Sequence, residues 1–172
     1  MVEEPSAKLH DVWFIDGRSG SGKTSLADDL IGRLTAAGHR VAVLRVEDLY
    51  PGWDGLAAGS AEVANVLHRG SYARWDWHAG LFGERISLPT SGPLVIEGCG
   101  AITAANLAAA ASRGSVHSIW LDCPEPLRHE RAIARDGETF APHWERWARQ
   151  EHAHFGRHAP WLIADEHRSC GG

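Results

Sequence analysis

The sequence predicts an α/β protein of three layers, α/β/α, with a parallel sheet of about five strands and helices on both faces. Three observations carry that expectation. Short apolar runs alternate with longer amphipathic stretches along the chain. The runs are apolar throughout rather than at every second residue, as strands buried on both faces require. The first run ends in a glycine-rich turn that opens a helix. A chain of 172 residues suits one domain whose core needs no staples. Residues 1–172 are accordingly read as a single domain, with 1–10 and 168–172 as flexible tails.

Val12 to Asp16 (VWFID) is the first strand. After the turn, Leu26, Leu30, Ile31 and Leu34 share one helical stripe, with Asp28, Asp29 and Arg33 away from it and Gly38 as the stop. Val41 to Val46 is the second strand, Leu49 to Gly59 is turn-rich, and a short helix covers Ala61 to His68. Arg74 to Trp77 and Arg85 to Leu88 read as extended arms of a hairpin around HAGLFG. Pro93 to Glu97 is a third core strand, Thr103 to Arg113 a helix and Val116 to Leu121 a fourth strand. Glu125 to Arg135 and Pro142 to Phe155 are helices joined by DGETFA, so that residues 125–155 form a helical lid and the helix after it. Trp161 to Ala164 is assigned as the edge strand.

Composition bounds the function. With 17 Lys+Arg against 22 Asp+Glu and a net charge of −5, the chain lacks the basic footprint of a nucleic-acid or membrane-surface binder. No apolar run approaches a membrane span, and MVEEPSAKLHD lacks the profile of a signal peptide, so a cytoplasmic location is expected. Cys99, Cys123 and Cys170 are widely spaced and odd in number, which predicts free thiols rather than a zinc knuckle or disulfide framework. His152, His154 and His158 have no accompanying carboxylate or cysteine pattern and are read as scattered histidines.

Between the first strand and its helix stands GRSGSGKT, Gly17 to Thr24, a full GxxxxGK[ST] phosphate loop in the strand-loop-helix context it requires. Gly17, Gly20 and Gly22 let the backbone of Ser19, Ser21 and their neighbours turn its N–H groups inward, and the helix adds its N-terminal dipole. Lys23 is placed to bridge β- and γ-phosphates, Thr24 to hold Mg²⁺, and Ser25 to bond the α-phosphate. The cofactors expected are therefore ATP and Mg²⁺. The NKxD and DxxG segments of GTPases are missing where they would be needed, and ABC and AAA modules need other signatures. A small kinase leads.

Strand ends in such sheets face the ligand crevice. The second delivers Glu47, Asp48, Tyr50, Trp53 and Asp54, with Asp48 the candidate base for an acceptor hydroxyl. The third core strand ends in Glu97, the candidate second group at the metal, followed by Gly98 and Gly100. IDGRSGSGKTSLA, EDLY, RWDW and LVIEG, followed in order by RAIARD and WLIAD, resemble the uridine kinase group of P-loop nucleoside kinases. That resemblance implies a P-loop NTPase fold and transfer of the ATP γ-phosphate to a primary hydroxyl such as a ribose 5′-OH, with Asp48 as base. YPGWDGL and RWDW depart from the nucleoside-contacting segments of that group, and the chain is shorter at its end, which leaves the acceptor open. Other readings are a sugar-acid, cofactor-precursor or antibiotic kinase, or a regulatory module that holds a nucleotide without transferring phosphate. The partner expected is a small-molecule acceptor, with oligomeric state undecided.

Around this centre, Tyr50, Trp53, Asp54, Arg74, Asp76 and Trp77 are candidate acceptor contacts, Arg74 and Asp76 sharing one face of an extended arm. Arg128, Arg131 and Arg135 share a helical face; Arg131 and Arg135 are the candidate lid cations and Arg128 is read as solvated. Glu151 interrupts the aromatic stripe of Trp144, Trp147 and Phe155 and either pairs with a lid arginine or reaches solvent. The 8 Trp, more than the 4 Phe and 2 Tyr together, divide between that pocket (Trp53, Trp75, Trp77) and the core.

Overall fold

The structure is a computed structural model and describes residues 8–170. The expected tails 1–7 and 171–172 lie outside the described residues. The described residues form seven strands and six α-helices: β1 Val12–Gly17, α1 Lys23–Ala36, β2 Ala42–Arg45, α2 Leu56–Arg69, β3 Ser71–Asp76, β4 Leu81–Ser87, β5 Leu94–Glu97, α3 Ala104–Ala110, β6 Val116–Asp122, α4 Glu125–Asp136, α5 Trp144–His158, α6 Pro160–Ile163 and β7 Glu166–Ser169. The main sheet is parallel, in the order β2-β5-β1-β6-β7, and β3 and β4 form a separate antiparallel hairpin.

Alternation along the strands divides the core into two layers. Trp13, Ile15, Val95, Ile119 and Leu121 face α1, where Ala27 and Leu30 close over them. Val12, Phe14, Leu44, Leu94, Ile96 and Trp120 face the other way, into a larger cluster with Val63 and Val66 of α2, Ala109 and Ala110 of α3, and Trp147 and Phe155 of α5. Both layers read as apolar runs because β1 and β5 are buried along their whole length. The registers Val12↔Leu94 and Val12↔Val116 bring the carboxyl ends of β1, β5 and β6 to one edge, where all the loops discussed below emerge.

Three expectations are corrected. Trp161 to Ala164 is not the edge strand: Ala159 leaves α5 with φ 41°, and Pro160 starts the short helix α6 with its φ already helical. Its apolar side chains face out, Leu162 being 77% exposed, so the apolar run misled by period. The edge strand is β7, which pairs Ile119↔Glu166 through Asp122↔Ser169. Accordingly, residues 168–170 are not a tail, and Cys123 and Cys170 are not free thiols: a disulfide joins them, with Cα atoms 5.2 Å apart. Each cysteine ends a neighbouring parallel strand, a proximity that spacing along the chain does not reveal. Cys99 remains a buried free thiol.

Smaller differences concern boundaries. The helix α2 starts at Leu56 rather than Ala61, β2 stops at Arg45 where a 3₁₀ turn covers Val46–Leu49, and Leu81 and Phe82 belong to β4 rather than to the turn. DGETFA is wound into two 3₁₀ turns, Gly137–Thr139 and Ala141–His143.

Candidate active site

The phosphate loop leaves β1 at Gly17 and enters α1 at Lys23. Gly20 and Gly22 have φ of 78° and 97°, the left-handed region that turns successive amides to one side. At Gly20 the requirement is also steric, since a Cβ there would lie 2.1 Å from the Arg128 carbonyl oxygen at the start of α4. Lys23 is buried, and its Nζ donates to Arg18 O at 3.0 Å, one of the three protons an ammonium offers. Ser21 Oγ is buried with no hydrogen-bond partner among the described residues. An orphaned hydroxyl and an under-used ammonium inside a nest of amides fit a polyanion.

Two helices far along the chain hold the peptide unit of Ser19 from both ends. Its N–H donates to Glu151 Oε1 at 2.7 Å, and its carbonyl accepts from Arg128 Nη1 at 3.2 Å. Glu151 is 2% exposed, and Arg18 Nη1 lies 3.9 Å from its other oxygen. Arg128 is buried as well, its Nε donating to Cys123 O at 2.9 Å, so it is a brace and not the solvated residue expected. Glu151 likewise pairs with the loop rather than with a lid arginine or with solvent.

Asp16 closes β1 beneath the loop and is fully buried. It accepts from Gly17 N at 2.7 Å, Gly100 N at 3.0 Å and Ile102 N at 2.9 Å, tying the phosphate loop to the segment after β5. Burial pushes its carboxyl up to about 7, against the pull of those amides and of Lys23. Cys99 lies beside it, its thiol donating to Gly17 O at 3.3 Å and pushed up to about 12 by burial. Tyr50 is also buried, and its hydroxyl donates to Cys99 O at 2.6 Å. It supports the cleft floor from below.

At the mouth of the cleft Thr24 Oγ1 donates to Glu97 Oε1 at 3.4 Å, and Arg45 Nη1 donates to the same oxygen at 2.6 Å. Arg45 stands beside Glu97 because β2 and β5 pair in the register Arg45↔Glu97. Its other nitrogen reaches Asp28 Oδ1 at 3.1 Å. Thr24, with Glu97 behind it, fits a magnesium ion held chiefly by phosphate oxygens and water. Glu47 and Asp48 occupy the 3₁₀ turn after β2. Burial raises the pKa of both. Glu97 and Asp48 raise Glu47 further, while Arg74 and Arg45 pull Asp48 back. A carboxylate raised toward neutrality is a better proton acceptor than an ordinary aspartate.

The remaining predicted contacts separate. Trp53 is stacked on His143 at 4.3 Å and on Phe140 at 5.4 Å and tilted against Trp77 at 5.0 Å, an aromatic cluster that joins the hairpin tip to the segment before α5. Asp54 is exposed and forms a two-bond pair with Arg146 of α5. Arg74 pairs with Glu84 across the hairpin, on the side near Asp48. Asp76 accepts from His78 N and Ala79 N, both at 2.8 Å, and so shapes the hairpin turn. Arg131 donates to Cys123 Sγ at 3.6 Å, and Arg135 pairs with Asp136 at 2.8 Å while its charge also reaches Glu47. Arg45 and Asp16 are the site residues that sequence reasoning passed over, and Arg128 is the one it read as solvated. The signals for the first two were an arginine near the end of the second strand and an aspartate directly before the loop.

The chain has the fold of the P-loop small-molecule kinases. A possible uridine kinase from Bacillus stearothermophilus superposes with a TM-score of 0.62 over 94% of this chain and 91% of that one, at 20% identity. The APS kinase of Mycobacterium tuberculosis, solved with AMPPNP and APS, gives 0.57 over 95% and 90% at 19% identity. The shikimate kinase of Acinetobacter baumannii, solved with shikimate, gives 0.55 over 96% and 86% at 17% identity. No family model matches the chain. No curated protein sequence matches it either. Among the described residues no helix is long and apolar enough to cross a membrane.

Proposed function

We propose that this protein is a Mg·ATP-dependent kinase that transfers the γ-phosphoryl group to a hydroxyl of a small uncharged molecule, a nucleoside foremost. The observation that carries the reading is the convergence of a complete phosphate loop, Gly17 to Thr24, with Glu97 at the end of the neighbouring strand β5 and Asp48 in the 3₁₀ turn after β2, the next strand out. Pure nucleotide binding needs no base such as Asp48.

In this reading the amides of Gly20 to Ser25 and the Lys23 ammonium hold the phosphates. Thr24 and Glu97 hold the metal, which when bound neutralises charge on the β- and γ-phosphates. Asp48 takes the proton as the acceptor oxygen forms its bond to phosphorus and the bridging oxygen leaves with ADP. Arg131 and Arg135 on α4 supply mobile positive charge to the transferring group, and closure of that segment excludes water.

The charge pattern favours an uncharged acceptor. Glu47, Asp48 and Glu84 stand on the acceptor side, while Arg74 is committed to Glu84, Arg45 to Glu97 and Asp28, and Arg146 to Asp54. A sugar acid would have to break one of these pairs to be neutralised.

The test is ADP release measured across nucleosides, neutral sugars, sugar acids and cofactor precursors, with Asp48→Asn as control. A nucleoside should raise turnover well above the ATPase background, and D48N should lower kcat by about two to four orders of magnitude, the usual weight of a general base, with ATP still bound. If ATP binds and no acceptor raises ADP release, the non-catalytic module replaces the kinase. If sugar acids are the best acceptors, the charge argument is wrong.

A further inference from the structure

Among the described residues, Arg45 is the firmly held cation of the cleft that phosphoryl transfer does not use. It ends β2, and the strand register sets it on the same sheet face as Glu97 and α1. From there its guanidinium spans two carboxylates, with Nη1 at 2.6 Å from Glu97 Oε1 and Nη2 at 3.1 Å from Asp28 Oδ1. Thr24 and Asp28 lie one helical turn apart on α1, so the chain Thr24–Glu97–Arg45–Asp28 is continuous, and the oxygen that accepts from Arg45 is also the one that accepts from Thr24.

Glu97 is 4% exposed. Burying a carboxylate is costly unless it is paired with a cation and hydrogen-bonded. The cation in direct contact with it is Arg45. Free Mg²⁺ approaching the same place meets a carboxylate already neutralised, with one oxygen engaged, and a threonine hydroxyl. That is a poor offer to an ion that demands six well-placed oxygens and gives up water reluctantly. Phosphate oxygens change the balance.

We propose that Arg45 is a built-in stand-in for the metal. It holds Glu97 aimed at Thr24 and, by occupying its oxygen, suppresses binding of free divalent cations, so that the metal enters as part of the metal–nucleotide complex. The inference rests on the kinase reading only through Glu97 as the group facing the metal. Arg45 is thus a positioning residue, acting on the metal through Glu97. Lysine cannot replace it fully, because an ammonium is a single point charge and does not fork across two carboxylates.

The experiment is Mn²⁺ binding followed by electron paramagnetic resonance without nucleotide, on the wild type, Arg45→Lys and Arg45→Met, with melting temperature recorded with and without Mn²⁺. The wild type should bind Mn²⁺ at least tenfold more weakly than R45M, with R45K between them. Mn²⁺ should raise the melting temperature of R45M more than that of the wild type. R45M leaves Glu97 buried without its partner, so R45K, which keeps the charge, carries the comparison if R45M fails to fold. Equal Mn²⁺ affinity in the wild type and R45K, or tighter binding by the wild type, overturns the proposal. Mg·ATP binding to the wild type is measured alongside. Its absence would count against the kinase reading, whereas the Mn²⁺ titration contains no nucleotide and judges Arg45 by itself.

Discussion

Asp16 shows how much of the site depends on single side chains that never touch a ligand. Its three backbone bonds hold the start of the phosphate loop and the turn after β5 in one unit. Because burial lifts its carboxyl to about 7 from the 3.8 of the free side chain, the native state keeps the proton over a range in which the unfolded chain has released it. The stability linked to Asp16 is therefore full below about pH 4 and is lost as pH rises from there through about 7. Every tenfold difference in acidity between the folded and unfolded chain is worth about 1.4 kcal/mol, so the loss amounts to a few kcal/mol. Urea denaturation of the wild type and Asp16→Asn at pH 5 and pH 8 checks the slope: the wild type should fall relative to the variant over that interval, and parallel curves would show that the amides, not burial, set the ionisation. Nothing in the sequence forecast this. Asp16 reads as the polar end of an apolar strand, and its partners Gly100 and Ile102 are brought to it by the β1–β5 pairing. The phosphate loop, by contrast, was legible because the residues of its motif are neighbours in sequence, although the groups that brace it are not.

At the scale of elements, α4 and α5 are where expectation and structure part most usefully. Helical spacing placed Arg128, Arg131 and Arg135 on one face, but spacing is blind to which end of that face is covered. The first turn of α4 lies against Gly20 and Ser19, so Arg128 is sealed in, while Arg131 and Arg135 project beyond the contact. Arg128→Ala should therefore cost about 2–3 kcal/mol of stability, because it leaves the Ser19 and Cys123 carbonyls without their charged donor. Arg131→Ala, on the exposed side, should stay within about 0.5 kcal/mol while lowering phosphoryl transfer. Thermal or chemical denaturation separates the two, and equal losses would mean that Arg128 braces nothing. The hairpin gives a similar lesson. Arg74 and Asp76 do share a face, yet one is bound across the strands and the other shapes the turn. The alternation was legible and its use was not.

For the whole molecule, the parallel sheet of about five strands with helices on both faces follows from apolar runs and helical stripes and was readable, whereas the order β2-β5-β1-β6-β7 was not. The last strand was not, because β7 (EHRS) is polar and edge-placed, while the apolar WLI before it drew the assignment. With β7 comes the Cys123–Cys170 disulfide, closing a loop of 47 residues that contains α4, α5 and α6. The chain-entropy account of a loop that size gives about 4 kcal/mol. Cys170→Ser, or addition of a reducing agent, should lower the denaturation midpoint accordingly, and an unchanged midpoint would show that β7 and the packing of α5 hold this half of the chain unaided.

Ser19 stands near the beginning of the chain, but the groups that grip its peptide unit, on Arg128 and Glu151, come more than a hundred residues later. During synthesis the complete phosphate-loop motif therefore leaves the ribosome long before Arg128 and Glu151 can grip it. A nascent chain halted before α5 carries every residue of GRSGSGKT and lacks one of the two supports that set it. The proposed function therefore makes nucleotide recognition a late event of chain maturation, and a ribosome-stalled series should gain affinity for ATP only once Glu151 has emerged.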